Sequence, residues 1–186
     1  MNQPVTPPMT EQHSAHERCD ILIIGAGPAG LAAALAAAPS GAAITIVDDN
    51  PQPGGQIWRD GPQVVLPALA QQHRAALARH TNIRLLPGTR VVGLGDSQPS
   101  DKAPTLLLED ADRGWTQHSH RIILCTGARE LLLPFPGWTL PGVTGAGALQ
   151  ALIKAGLDVR GLRVRARWGG LTAGVTCRNF DFLVSP

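Results

Sequence analysis

"ILIIGAGPAGLAAALAAA", residues 21–38, runs eighteen residues without a charge and admits two readings. A stretch of about eighteen apolar residues is long enough to be a transmembrane candidate, and its small-residue end "LAAAPS" imitates a signal-peptidase site. A secretory segment opens on positive charge, whereas "HERCD" mixes signs and places Asp20 on the apolar boundary. The composition also changes partway. Residues 21–24 are Ile and Leu, suited to a strand buried on both faces, whereas residues 31–38 are Leu and Ala, strong helix formers. Gly25, Gly27 and Gly30 lie between them. The stretch therefore reads as strand, turn and helix, with no transmembrane segment.

The glycine spacing has a physical purpose. Gly25 permits a tight turn off the strand, Gly27 lets backbone approach a diphosphate, and Gly30 lets helix and strand pack closely. Pro28 suits a first helical turn, where its missing N–H costs nothing. The helix N-terminus then offers unpaired N–H groups and partial positive charge to an anion. After the "PSG" break, "AAITIVD" forms a second apolar strand ending at Asp48, eighteen residues beyond Gly30. That is near the interval of about 20 residues at which a dinucleotide-binding acidic group meets the ribose. Such a carboxylate accepts both ribose hydroxyls and repels a 2′-phosphate, disfavouring NADP. Asp49 beside it falls on the other side of the alternation and reads as a solvated loop residue.

Elsewhere the chain reads coarsely. Residues 1–17 hold three prolines and little apolar content, a flexible tail. "NPQPGGQIW" is a turn-rich loop in which Gly54 and Gly55 bring backbone close to a ligand. Val65, Leu69, Ala76 and Leu77 recur at helical spacing between Val64 and His80, with His73 interrupting the stripe. "NIRLLPG" is a third strand, "TRVVGLG", "TLLLED" and "WTQHSH" a small β-meander, and "RIILCTG" a further buried strand. Trp115 and Trp138 read as packing residues. His118 and His120 share a strand face, but two ligands without a third seldom hold a metal, so no metal site is assigned.

Bulk properties narrow the function classes. At 186 residues the chain can bury a core without a staple, and a net charge of +2 gives no argument for nucleic acid. Cys19, Cys125 and Cys177 are few, odd in number and far apart, as expected of reduced structural thiols in a cytoplasmic protein.

With "DILIIGAGPAGLAAALAAA", "ITIVDDNPQPGGQIW" and "RIILCTGARELLLPFPGWTLPGVTGAGALQALIKAG" in order, the chain resembles the FAD-binding part of the two-dinucleotide-binding-domain oxidoreductases, of pyridine nucleotide-disulphide oxidoreductase type. Within them it is most similar to the FAD subunits of opine and amino-acid dehydrogenases and of hydrogen cyanide synthase, over about Asp20–Leu162. The resemblance implies an α/β, Rossmann-like FAD-binding domain, a parallel sheet with flanking helices plus a small β-meander, apparently incomplete. It implies FAD rather than NAD as cofactor, with the diphosphate over Gly25, Ala26, Gly27, Pro28, Ala29 and Gly30 and the adenosine ribose on Asp48. The Gly55 and Gln56 backbone would run along the phosphates and ribityl chain, and main chain near Val91 would meet the adenine. Thr126 and Gly127 would stand close to the cofactor. Cys125, where the family carries a small Ala, would be buried and unreactive.

The expected organisation is a tail at 1–17, an FAD-binding domain at 18–140, a connecting segment with a helix at 141–160 and an atypical tail at 161–186. The family pattern leads to expect an apolar strand and a second glycine fingerprint after Val164. Instead Arg163, Arg165 and Arg167 fall at period two, which suits a solvated edge strand and not a buried parallel one. Three arginines are too few for a nucleic-acid stripe. Fourteen Arg against two Lys points to GC-rich coding. Advancing the frame by one base turns the single Trp168 codon into Gly, and permitted codons convert "RARWGGLTA" to "ALAGAGSPL", again strand-and-turn-like. A frameshifted or truncated product is therefore one expectation. Three functional readings follow: an FAD-dependent oxidoreductase oxidising a C–N bond of an amine or amino-acid-like substrate beside a partner subunit; an inactive FAD-binding fragment; and a small NAD-dependent Rossmann dehydrogenase. No residue stands out as general acid or base, so no catalytic residue is assigned. Sequencing the DNA beyond codon 162 tests the frameshift: family-like residues are expected in the shifted frame, and an early stop there ends the idea.

Overall fold

The computed structural model describes residues 15–62, 64–96, 104–128, 134–168 and 171–176. The first fourteen residues of the expected tail and Cys177 lie outside them. Six strands form one mixed sheet: β1 (Ala15–Ile24), β2 (Ile44–Asp48), β3 (Ile83–Pro87), β4 (Arg90–Leu94), β5 (Leu106–Glu109) and β6 (Gly114–Leu124). Their spatial order is β3-β2-β1-β6-β5-β4. The first four in that order are parallel, and β5 and β4 add antiparallel to β6. The mostly parallel sheet with flanking helices is that of a Rossmann-like fold.

The uncharged stretch divides as its composition requires. Its first four residues end β1, and Pro28–Ala37 form helix α1, with Pro28 in the first turn. Among the described residues no helix is long and apolar enough to cross a membrane. Both faces of β2 and of the end of β1 are covered, which explains their unbroken apolar runs. All five residues of β2 are buried. On one face Ile23, Ile44 and Ile46 pack with Leu31 and Ala34 of α1, Trp58, and Ala70 of helix α2 (Ala68–Leu77). On the other, Leu22 and Val47 pack with Leu106, Leu108 and Trp115.

Three boundaries differ from the sequence reading, each for a visible reason. Strand β1 begins at Ala15, so residues 15–17 belong to the sheet and not to a tail. The polar residues 16–19 pair with residues 116–119 of β6. Glu17 there receives Arg84 and Arg113, each at 2.6 Å. Burial pushes the Glu17 carboxyl up, but the two guanidiniums outweigh it and hold the pKa below the usual value. The third meander strand, "WTQHSH", and the "further buried strand" are a single strand, β6. Its first residues pair antiparallel with β5 while its whole length runs parallel to β1. Helix α2 is shorter than Val64–His80 because Pro67 is its N-cap, in extended conformation, leaving Val65 outside and 91% exposed. His73 does not interrupt the packing: its ring stands edge-on to buried Trp58, with centroids 5.4 Å apart.

Trp115 is a packing residue, 1% exposed, with the Arg113 guanidinium 4.4 Å from its ring centre. Trp138 departs from the same expectation and is exposed. Helix α3 spans Ala146–Lys154. Strand β7 (Arg163–Trp168), where the arginines alternate, pairs antiparallel with β8 (Leu171–Thr176) in a separate two-stranded sheet. It is thus no buried parallel strand. Truncating Trp115→Ala is expected to lower unfolding free energy by about 3–5 kcal/mol, read from urea denaturation; a loss below about 1 kcal/mol would refute its central role in that core.

Candidate dinucleotide site

Parallel strands β1, β2 and β6 all end at one edge, and the predicted residues gather there. Gly25 leaves β1 with φ +104°, and a Cβ on it would lie 2.2 Å from the Cys125 carbonyl oxygen at the end of β6. A Cβ on Gly30 would lie 1.9 Å from the Gly25 carbonyl oxygen, so α1 packs directly against the turn. Gly27, the N-cap of α1, is different: a Cβ there would meet nothing within 4 Å. The glycine expected to receive a ligand is the one that faces open space.

The donors for an anion can be narrowed. The Gly25 N–H donates to the Val47 carbonyl at 2.8 Å and the Ala26 N–H to Asp48 Oδ2 at 2.5 Å, so both turn toward β2. Pro28 has no N–H. What remains is Gly27 and the first turn at Ala29 and Gly30, whose N–H groups have no acceptor four residues back. No side chain caps α1.

Asp48 is 8% exposed and works inside the protein. Besides Ala26, it accepts at Oδ1 from the Asn50 N–H and Nδ2, at 2.8 and 2.7 Å. A carboxylate has about four acceptor positions, so three protein donors leave one for a ribose hydroxyl unless Asn50 or Ala26 lets go. Asp49 is exposed, as expected.

The "NPQPGGQIW" loop closes over the turn. Gly54 donates to the Ala26 carbonyl at 2.7 Å, and a Cβ on Gly55 would lie 3.1 Å from Gly27 Cα. Two cations hold this loop. Arg74 of α2 donates to the Pro53 and Trp58 carbonyls and pairs with Asp60 at 3.0 Å. Lys154, the last residue of α3, donates to the Gln56 and Ile57 carbonyls at 3.0 and 2.9 Å. Burial, and then Arg59, lower the Lys154 pKa. Motif spacing marks neither cation; Arg74 lies within the helical stripe of Val64–His80, but nothing in its position there signals a loop contact.

The remaining expected residues sit around this edge. The turn after β3 is tied to the end of β2 by Thr89 N–H to the Asp48 carbonyl, 2.9 Å, and Val91 lies two residues further, half-exposed in the ladder with β5. Gln56 is exposed, with its Oε1 taken by Arg59 at 3.1 Å. Thr126 and Gly127 are exposed just past the Cys125 approach to Gly25, Gly127 at φ +69°. Cys125 is half-buried, less than expected, and burial raises its thiol pKa, so little thiolate forms at neutral pH. His118 Nδ1 meets Thr105 Oγ1 at 3.0 Å and His120 meets Asp20 at 3.2 Å, each engaged separately. Among the described residues no group of three or more His, Cys, Asp or Glu could hold a metal.

The arrangement fits a diphosphate-linked dinucleotide: uncapped helix N–H groups, an open glycine and an acidic strand end. The family profile described as pyridine nucleotide-disulphide oxidoreductase matches residues 19–160. The chain belongs to that family. It is an FAD/NAD(P)-binding oxidoreductase domain. An opine oxidase chain of Agrobacterium tumefaciens is 36% identical over 152 residues, covering 73% of this chain and 29% of the relative. The HcnB chain of hydrogen cyanide synthase from Pseudomonas aeruginosa is 38% identical over 149 residues, covering 73% and 30%. Both relatives are subunits of their enzymes, and this chain spans less than a third of each. The crystal structure of L-proline dehydrogenase from P. horikoshii superposes with TM-score 0.51 at 22% identity, over 64% of this chain and 25% of that one, a likeness of fold.

The glycines are separable by experiment. Gly25→Ala is expected to destabilise the fold outright, because both its φ and the Cys125 carbonyl forbid a Cβ. Gly27→Ala is expected to leave the melting temperature of the ligand-free protein within about 3 °C. Thermal melts of both variants check this; equal losses would remove the distinction between a packing glycine and a ligand-facing one.

Proposed function

We propose that this domain binds FAD and forms the dinucleotide-binding part of a flavin-dependent oxidoreductase that oxidises a C–N bond of an amine or amino-acid-like substrate. The observation that carries the cofactor reading is an uncapped helix N-terminus beside an acidic strand end, with Gly55 seated against Gly27 and the Cβ side of Gly27 left open. In this reading the N–H groups of Gly27, Ala29 and Gly30 hold the diphosphate, and the α1 dipole offsets part of its charge. Asp48 takes a ribose hydroxyl and repels a 2′-phosphate. The Gly55–Gln56 backbone lies along the phosphates and ribityl chain, main chain near Val91 meets the adenine, and Thr126 and Gly127 border the cofactor.

When bound, FAD supplies hydride acceptance; the protein supplies binding, orientation and electrostatics. FAD is favoured over NAD by the glycine loop folded onto the turn and by the β4–β5 hairpin ahead of β6. The amine-type substrate rests on similarity to the opine oxidase and hydrogen cyanide synthase relatives, and their being subunits also supports a hetero-oligomeric partner. We place the protein in the cytoplasm, where its few separated cysteines stay reduced.

The test is direct. Purified chain is expected to be yellow, or to turn yellow with added FAD, and to release a pigment that co-elutes with FAD. Gly27→Ala is expected to weaken uptake about tenfold or more, since its methyl enters the ligand space. A colourless protein whose stability responds to NAD and not to FAD would overturn the cofactor assignment.

A further inference from the structure

The loop at residues 54–58 is held from opposite sides by helices that differ in kind. Arg74 lies in α2, part of the domain's own packing, and grips the loop at its two ends, the Pro53 and Trp58 carbonyls. Lys154 lies in α3, within the connecting segment, and grips the middle, the Gln56 and Ile57 carbonyls. The end of α3 also lies close to the segment that follows the loop. A Cβ on Gly61 would lie 1.8 Å from the Lys154 carbonyl oxygen, and one on Gly156 would lie 3.5 Å from the Pro62 ring. Gln56 and Ile57 are themselves exposed, so burial does not hold them in place.

We propose that Lys154 is a positioning residue for the dinucleotide site: by holding the Gln56 and Ile57 carbonyls, its ammonium keeps Gly55 seated on Gly27 and couples the connecting helix to the turn that receives the diphosphate. The proposal rests on the cofactor reading above. Its physical basis is that a charged donor shared by two carbonyls is stronger than a neutral hydrogen bond. Removing it frees the loop centre while Arg74 still anchors the ends, so the fold survives and only the seating loosens. The coupling also runs in reverse. A bound dinucleotide pressing Gly55 onto Gly27 stabilises the α3 contact, so the connecting segment is ordered more firmly when the site is filled.

The full-length chain, Lys154→Met and Lys154→Arg are compared by hydrogen exchange without ligand and by FAD titration through flavin fluorescence. Lys154→Met is expected to speed exchange of the amides at 55–58 and to raise the FAD dissociation constant about tenfold, while Lys154→Arg restores most of both. If Lys154→Met loses the folded circular dichroism spectrum, Lys154→Gln replaces it with the same expectation. Unchanged exchange at 55–58, or faster exchange with wild-type FAD affinity, overturns the positioning role alone. Failure of the wild-type chain to bind FAD overturns the cofactor reading and this proposal with it.

Discussion

Everything at this site depends on how closely helix α1 can approach the turn that precedes it. With no Cβ on Gly30, the helix lies against the Gly25 carbonyl, and with none on Gly25 the turn lies against the Cys125 carbonyl. These two contacts stack three backbones, from β6 through the turn to α1, at a spacing no side chain would permit. The spacing sets the uncapped N-terminus of α1 at the end of the sheet, beside a Gly27 whose Cβ side is open. A side chain at either position would push the helix away from the turn.

The same edge collects acidic, cationic and neutral backbone elements in a fixed order. Asp48 draws the Ala26 N–H toward β2, and its carboxylate organises Asn50. A buried carboxylate needs such donors, since desolvation penalises the charge and hydrogen bonds to the charged form compensate. Asp48 thereby divides the turn's N–H groups into those committed to the protein and those left for an anion. That division keeps a negative side chain close to the uncapped helix N-terminus without competing for its free donors. Arg74 and Lys154 lie farther out, on the loop, and act by holding carbonyls.

The parts legible in the sequence were those with local physical causes. Gly25, Gly27, Gly30 and Asp48 announce strand, turn, helix and strand because each residue type answers a backbone or charge requirement within its own βαβ unit. Less legible were features decided by distant partners. The polar first half of β1 is a strand only because residues 115–119 pair with it and because Arg84 and Arg113 meet Glu17, contacts 67 and 96 residues away in sequence. Strand β6 read as two strands because its first half alternates between buried and partly exposed residues, whereas its end, residues 122–124, is an apolar run paired with β1. One strand passes through two environments, and periodicity reports the environment.

Lys154 shows the limit most sharply. In sequence it is a basic residue in the last turn of a short amphipathic helix, where the helix dipole alone accounts for it. Its contacts to Gln56 and Ile57 arise from the placement of α3 against the loop, 98 and 97 residues earlier in the chain. Glycine motifs mark where a ligand fits because steric permission is a property of single residues. Loop anchoring is a property of pairs, and its members need carry no motif at all. A candidate site closed by an anchored loop thus has two layers of determinants, one written in local spacing and one written only in the fold.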